Sequence, residues 1–179
     1  FKEKQNQPLR ADSAIFDLST FRWFRRRGEG IYLEECPDSK GSDAVPQAST
    51  SALRIVGFLD SAMGRSKRAG DYAAIATVGI DSAGRIYVLD VWLDRATPSL
   101  QAAQIFARHD LWHYAAFGIE AVGFQGLVQE PIETLRRERR SAGLPADLPI
   151  VEITPRGSKT ERVAALEPLV HNGWLLFDR

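Results

Sequence analysis

The chain has 179 residues, of which 44% are hydrophobic, and its 23 Lys and Arg residues balance 23 Asp and Glu residues. This length and composition suit one domain with a single core, and the zero net charge excludes a wholly basic protein that coats nucleic acid, although it allows a local basic face. The single cysteine, Cys36, excludes an internal disulfide and fits a reducing compartment. No apolar run approaches the roughly 20 residues that cross a bilayer, so no membrane partner is expected.

The first predicted elements are strands. Residues 1 to about 50 are predicted to be irregular, apart from a short strand at Gly30–Glu34 and a polar loop after Cys36. Three apolar strands then follow one another, "LRIVGFLD", "DYAAIATVGID" and "RIYVLDVWLDR", and the turn signal "DSAG" joins the second to the third. Their short connections predict an antiparallel meander.

The later strands alternate with helices. Thr97 caps a helix that is predicted to run to about Tyr114, and "AAFGIE" is a fourth strand. The segment "LVQEPIETLRRERRSAG" is a helix, "LPIVEITP" a fifth strand, and "SKTERVAALEPLVHNG" a helix that begins with a capping box at Ser158 and Glu161. After a last strand, "GWLLFDR", the order is β-β-β-α-β-α-β-α-β. It predicts a mixed α/β sheet, a meander followed by parallel strands with helices on both faces.

Two acids end the first and fourth strands, Asp60 and Glu120. If these strands are neighbours, both carboxylates emerge at one edge of the sheet, where a cation would relieve their repulsion. Mg²⁺ prefers such oxygen ligands, and two ions about 3.5–4 Å apart can support phosphodiester cleavage. A single acid at a strand end is commonly structural or solvated, so it is the pair that predicts a catalytic metal site.

Other charged residues are candidates for supporting roles. Asp71 and Asp90, on the second and third strands, could assist the metal ligands, with a turn acid and a solvent-facing acid as the alternatives. Arg65, Lys67 and Arg68 directly follow the first strand in "GRSKR" and are candidate phosphate contacts.

Two more candidates lie at the start of the last helix. Lys159 lies where backbone N–H groups favour phosphate, although a solvated lysine near a helix cap fits equally well. Arg162, three residues further on the same helical face, could pair with an acid of the site.

Five segments, taken in order, resemble the C-terminal nuclease domain of the large terminase subunit of tailed bacteriophages, an RNase H-like fold: "GFLDSAMG", "GDYAAIATVGID", "IYVLDVWLDR", "FGIEAVGFQ" and "KTERVAALEPLVHNGWLLF". The resemblance spans nearly the whole chain. It implies that residues 51–179 form a nuclease domain and that residues 1–50 are the join from an upstream ATPase domain of a longer polypeptide. It also implies that Asp60 and Glu120 bind two Mg²⁺ or Mn²⁺ ions and that Lys159 contacts the strand to be cut.

The resemblance further implies a function. It is a metal-dependent endonuclease that cuts concatemeric double-stranded DNA in the host bacterial cytoplasm, with the portal protein and the small terminase subunit as partners of the full protein. The family's third metal-binding acid is expected beyond Arg179, and the chain has no phosphate-binding loop, so ATPase activity is not expected of it. Two alternatives stay open: another RNase H-like nuclease of the resolvase or transposase type, and a non-catalytic module that docks on DNA or the portal.

Overall fold

The structure is a computed structural model that describes residues 16–34, 47–61, 72–121 and 124–179, without the side chains of Leu18, Phe124, Gln125 and Lys159. The described residues form nine strands of one mixed sheet, in the order β3-β2-β1-β9-β6-β5-β4-β7-β8. The strands are β1 Arg22–Arg27, β2 Gly30–Leu33, β3 Ala48–Ser49, β4 Arg54–Asp60, β5 Ala73–Ile80, β6 Ile86–Asp94, β7 Ala116–Glu120, β8 Ile150–Ile153 and β9 Leu175–Asp178.

The pairing of the strands confirms the predicted mixed sheet, an antiparallel meander followed by parallel strands. β4, β5 and β6 form an antiparallel meander. β7 pairs in parallel with β4 and β8, and β9 pairs in parallel with β6 and β1. The parallel pairs are joined by connections that contain helices, as parallel crossovers require.

Four α-helices lie in the described part of the chain: α1 Pro98–Trp112, α2 Gln129–Ser141, α3 Lys159–Ala164 and α4 Glu167–His171. Short 3₁₀ turns occupy Leu18–Thr20 and Thr50–Ala52, and a π-turn at Phe124–Val128 precedes α2. Thr97 caps α1 as predicted, since its hydroxyl accepts from the N–H of Leu100 at 3.3 Å. None of the described helices combines the length and the hydropathy that a bilayer crossing requires.

The core lies on one face of the sheet. On β4 and β5 every second residue is buried, and the buried set, which includes Leu59 and Ile119, packs with Ile105 of α1 and Ile132 of α2. We call the face of the sheet that carries these buried side chains the helix-covered face. The opposite face, which we call the open face, bears exposed apolar side chains such as Val91, at 61% exposure.

A β-bulge in β6 decides which side chains reach which face. The pairing passes from Val78 with Val88 to Thr77 with Asp90, so Leu89 is an extra residue. Beyond the bulge Asp90 shares the face of buried Thr77, which is the helix-covered face. The alternation in "RIYVLDVWLDR" contains no sign of this shift, because both the regular and the bulged strand read as alternating apolar residues.

Residues 22–33 differ from the sequence prediction. They were expected to be irregular except for a short strand, but β1 and β2 form a hairpin, and β1 pairs in parallel with β9. Phe24 and Ile31 in this hairpin are fully buried. The β1–β9 pairing joins distant segments, and across it Arg26 donates to the carboxylate of Asp178, 152 positions away along the chain, so it leaves no local pattern.

The last predicted helix is two helices. The capping box is present, with the Ser158 hydroxyl accepting from the N–H of Glu161 at 3.2 Å and the Glu161 carboxylate accepting from the N–H of Ser158 at 2.6 Å. The helix nevertheless ends at Ala164, and α4 begins at Glu167. Pro168 explains the break, because proline has no N–H to bond the carbonyl four residues earlier.

Candidate active site

Asp60 and Glu120 end two neighbouring strands. β4 and β7 run parallel, and their last paired residues are Leu59 and Ile119. Each strand has one further residue, so Asp60 and Glu120 lie level with each other and on the same face, since side chains alternate along a strand. Strands in a sheet are about 4.8 Å apart, which lets two carboxylates from these positions reach one ion. The sheet therefore brings together the two acids that the sequence singled out; their role as ligands stays a prediction.

The local sequence explains why both acids lie on the open face. Leu59 and Ile119 have no exposed surface, which fixes the phase of both strands, and the next residue on each strand must point to the opposite face. Ala74 of β5 pairs with Asp60 on its other side. Its small side chain leaves the approach to the Asp60 carboxylate clear from that direction.

The described residues do not neutralise either carboxylate. Asp60 is exposed and Glu120 is half-buried, and neither has a hydrogen bond or an ion pair with another described residue. Two carboxylates on adjacent strands repel each other unless a proton or a cation lies between them. Among the described residues, nothing offsets this repulsion.

A hard divalent cation fits this pair. Mg²⁺ is commonly held by one or two carboxylates, with water and substrate phosphate as its other ligands. Within the described ranges, no group of three or more His, Cys, Asp or Glu side chains comes together to enclose a metal. The Asp60–Glu120 pair thus suits a cation that is shared with a substrate, and it does not resemble a closed structural site.

Asp90 lies away from this edge. The bulge turns it to the helix-covered face, where its carboxylate is 2.9 Å from the Nε of Arg108 on α1. The Arg108 guanidinium also lies 5.6 Å from the centroid of the Trp92 ring. Asp90 therefore joins β6 to α1, and the structure does not bring it to the side of the sheet that bears Asp60 and Glu120.

The start of α3 lies beyond the end of β8, the strand next to β7. The backbone of Lys159 begins the helix at this edge, while its side chain lies outside the described part. Arg162 is exposed and donates to the carbonyl of Gly157 at 3.2 Å, and no described carboxylate of the Asp60–Glu120 pair contacts it.

Four predicted residues, Asp71, Arg65, Lys67 and Arg68, lie in the segment 62–71, outside the described residues. Ser61, before the segment, follows directly on Asp60, and Tyr72, after it, precedes β5 at the same edge. The two ends of the segment therefore adjoin the acid pair. The roles predicted for its residues stay predictions.

A further pair at this edge, Tyr72 and Arg95, was missed in the sequence. The guanidinium carbon of Arg95 lies 4.9 Å from the centroid of the Tyr72 ring. The available signal was positional: an aromatic residue before one strand of a hairpin and an arginine after the other become neighbours if the strands pair to their ends.

Comparison with solved structures shows what this fold resembles. The crystal structure of the large terminase nuclease from thermophilic phage G20c matches with a TM-score of 0.51 and 15% sequence identity, covering 92% of this chain and 74% of that one. The HK97 bacteriophage large terminase matches with a TM-score of 0.45 and 17% identity, covering 74% of this chain and 34% of that one. No curated protein matches the chain in sequence.

A sequence model of one family covers most of the chain. The family is described as the terminase RNase H-like domain, and the match extends over residues 57–179. This range contains both Asp60 and Glu120 and all the strands from β5 onward. The chain therefore belongs to the terminase RNase H-like domain family.

Proposed function

We propose that the chain is a metal-dependent endonuclease that cuts concatemeric double-stranded DNA during phage genome packaging. The observation that carries the proposal is the position of Asp60 beside Glu120, one residue beyond the last paired residues of β4 and β7. The family supplies the substrate class, and the pair of uncompensated carboxylates supplies a reason for a divalent cation.

The chain's own residues would bind and orient the reactants. Asp60 and Glu120 would hold Mg²⁺ or Mn²⁺ on a rigid support, because buried Leu59 and Ile119 anchor the backbone directly before them. A divalent cation bound there lowers the pKa of water and offsets the negative charge that develops on the phosphate. Two ions would need more oxygen ligands than this pair provides, from the DNA phosphate or from residues that the structure does not describe.

The wider setting is part of the proposal. Residues 51–179 would be the nuclease domain, and residues 1–50 would join it to an ATPase domain in the full protein. That protein would act with the portal protein and the small terminase subunit in the host cytoplasm. Arg65, Lys67, Arg68 and Lys159 would contact DNA near the acid pair, because they lie in or beside segments that adjoin its edge of the sheet.

The test is cleavage of supercoiled plasmid DNA with Mn²⁺ or Mg²⁺. Asp60→Asn and Glu120→Gln keep the size of each side chain and remove its charge, so each should reduce cleavage below detection. Asp94→Asn is the matched control. Asp94 is an exposed acid that ends β6 at the same edge, but it pairs with buried Ala73 and so belongs to the opposite face. It should retain wild-type cleavage.

The results of DNA cleavage and binding assays distinguish the proposed nuclease from the two alternative functions. Cleavage that survives Asp60→Asn or that needs no divalent cation would overturn the proposal. Preference for a four-way junction or an RNA–DNA hybrid over linear duplex would indicate a nuclease of the resolvase type. DNA binding without any cutting would indicate the second candidate, a docking module.

A further inference from the structure

Tyr72 and Arg95 extend the β5–β6 hairpin by one residue on each side. The last pair of the ladder is Ala73 with Asp94, and Tyr72 and Arg95 are the next residues outward. Tyr72 is 51% exposed, and Arg95 is exposed as well. The guanidinium nevertheless lies over the ring, 4.9 Å from its centroid, so an exposed arginine is held in a defined position.

Both residues lie on the face that carries the acid pair. Ala74 pairs with Asp60 on one side and with Leu93 on the other. Tyr72 is two residues from Ala74, and Arg95 is two residues from Leu93, so alternation returns both to this face. With about 3.3 Å of rise per residue and about 4.8 Å between strands, the Cα atoms of Tyr72 and Arg95 lie roughly 8 Å and 12 Å from that of Asp60.

The guanidinium of Arg95 has no carboxylate partner among the described residues. Some arginines in or beside the strands do have one: Arg25 pairs with Glu34, Arg26 with Asp178 and Arg85 with Asp81. Within the described part of the chain, the neighbouring acid, Asp94, accepts the backbone N–H of Arg95, at 2.7 Å, and not its guanidinium. A guanidinium stacked on an aromatic ring keeps its N–H donors free at its edges, where they suit the oxygens of a phosphate.

We propose that Arg95, held in position by Tyr72, binds the phosphodiester backbone of the DNA strand that Asp60 and Glu120 cut. This inference rests on the proposed nuclease function. Successive phosphates on one strand advance about 3.4 Å along the duplex axis, so a contact roughly 12 Å from Asp60 lies within a few nucleotides of the cleaved bond. Arg95 therefore binds substrate near the acids without touching the reacting atoms.

The first test measures DNA binding as salt is varied, in the Asp60→Asn background so that no DNA is cut. Loss of one phosphate contact reduces the slope of log K against log salt by about 0.9, and Arg95→Gln should show that reduction. Arg95→Lys should restore most of the slope, because it keeps the charge. Arg137→Gln is the control, since Arg137 is exposed on α2, on the helix-covered side, and donates to Thr134 at 3.2 Å. Its slope should not change.

The second test separates the ring from its hydroxyl. Tyr72→Phe keeps the aromatic face and should bind DNA like the parent, whereas Tyr72→Leu removes the support and should weaken binding less than Arg95→Gln does. In the cleaving protein, Arg95→Gln should raise KM and leave kcat unchanged, because the contact is present both before and during the reaction.

Two results would overturn the inference. Arg95→Gln could show the salt slope of Arg137→Gln, or it could lower the melting temperature and leave DNA binding unchanged. The second result would mean that the Tyr72–Arg95 contact only stabilises the hairpin. If Arg95→Gln reduces the slope but Asp60→Asn does not affect cutting, the DNA contact stands and the proposed nuclease site fails.

Discussion

Aspartates at opposite edges of one sheet have opposite surroundings. At the β5–β6 turn, the carboxylate of Asp81 accepts four hydrogen bonds: from the N–H groups of Ala83 and Arg85, both at 2.9 Å, from Arg85 Nε at 2.8 Å and from the Tyr87 hydroxyl at 3.0 Å. At the other edge, Asp60 has no such partner among the described residues. The two residues look alike in the sequence, since each is an acid at the end of an apolar strand.

The difference separates a structural acid from a candidate functional one. Burial would raise the pKa of Asp81, but the hydrogen bonds from Arg85 and Tyr87 outweigh it, so the pKa lies below its ordinary value of 3.8. A carboxyl group with a lowered pKa adds stability above its unfolded pKa, and that stability is lost as the pH falls through the folded pKa. Asp60 has no comparable network among the described residues, which fits the proposal that it and Glu120 bind a cation.

The largest expected change in stability follows from removing the carboxylate of Asp81. Asp81→Ala removes the partner of the buried Tyr87 hydroxyl and of Arg85, and we expect the free energy of unfolding to fall by about 1.5–3 kcal/mol. Asp60→Ala, without divalent cation, should change it by less than about 0.5 kcal/mol. Urea unfolding in the presence of a chelator measures both. Equal losses of unfolding free energy would mean that Asp60 contributes to stability as much as Asp81 does, and that the two acids do not differ in this respect.

The sequence predicted the Asp60–Glu120 pair for a physical reason. Both acids end short strands whose buried residues set the phase, and strand phase is a local property of the sequence. The position of Asp90 was not predictable in this way, because the bulge at Leu89 depends on how β5 and β6 pair. The strand β1 was missed because only Phe24 of its six residues is buried, and because one of its two partner strands, β9, lies at the far end of the chain.

The two faces of the sheet should differ in how much room they leave for an added methyl group. An added Cβ at Gly57 would lie 2.5 Å from a ring carbon of Phe117 and 2.8 Å from one of Tyr114, on the helix-covered face. Tyr114 is fixed by a 2.7 Å hydrogen bond to Thr77, so Gly57→Ala should cost about 1–3 kcal/mol. An added Cβ at Gly118 would lie 2.6 Å from the end of the Ile153 side chain and 2.7 Å from a ring carbon of Phe58, on the open face.

Ile153 is 38% exposed and Phe58 is half-buried, so both side chains can shift more easily than the buried rings beside Gly57, and Gly118→Ala should cost less than Gly57→Ala. Both variants lie on the adjacent strands that carry the acid pair, and both add one methyl group, which makes them a matched comparison. Thermal unfolding with a chelator present gives the two values. A larger loss for Gly118→Ala would show that the open face is packed as tightly as the core.

A divalent cation should raise the free energy of unfolding by binding at the edge with Asp60 and Glu120, and not at the edge with Asp81. Mn²⁺ at ten times its Kd would raise the free energy of unfolding by about 1.4 kcal/mol if it binds only the folded chain. Glu120→Gln should abolish this gain, while Asp81→Ala should keep it despite its lower starting stability. Calorimetric or fluorescence-monitored melting, with and without Mn²⁺, provides the readout. A gain that persists in Glu120→Gln would place the cation elsewhere.

The smallest effect concerns the phenol that completes the Asp81 network. Tyr87→Phe removes one hydrogen bond to Asp81 and should cost about 1 kcal/mol at neutral pH. Burial and the Asp81 carboxylate raise the pKa of Tyr87 from 10.0 to about 12, so the folded state favours the neutral phenol. The stability that this provides is fully present below pH 10 and is lost as the pH rises toward 12.

The difference in unfolding free energy between the wild type and Tyr87→Phe should therefore shrink between pH 10 and pH 12, the interval between the ordinary and the raised pKa. Taking this difference cancels the titration of the lysines and the other tyrosines, which both proteins share. Urea unfolding at several alkaline pH values measures it. A difference that stays constant over that interval would mean that the hydrogen bond from Tyr87 does not stabilise the Asp81 carboxylate. The contrast with Asp60 would then depend only on the hydrogen bonds from Arg85 and from the backbone of the turn.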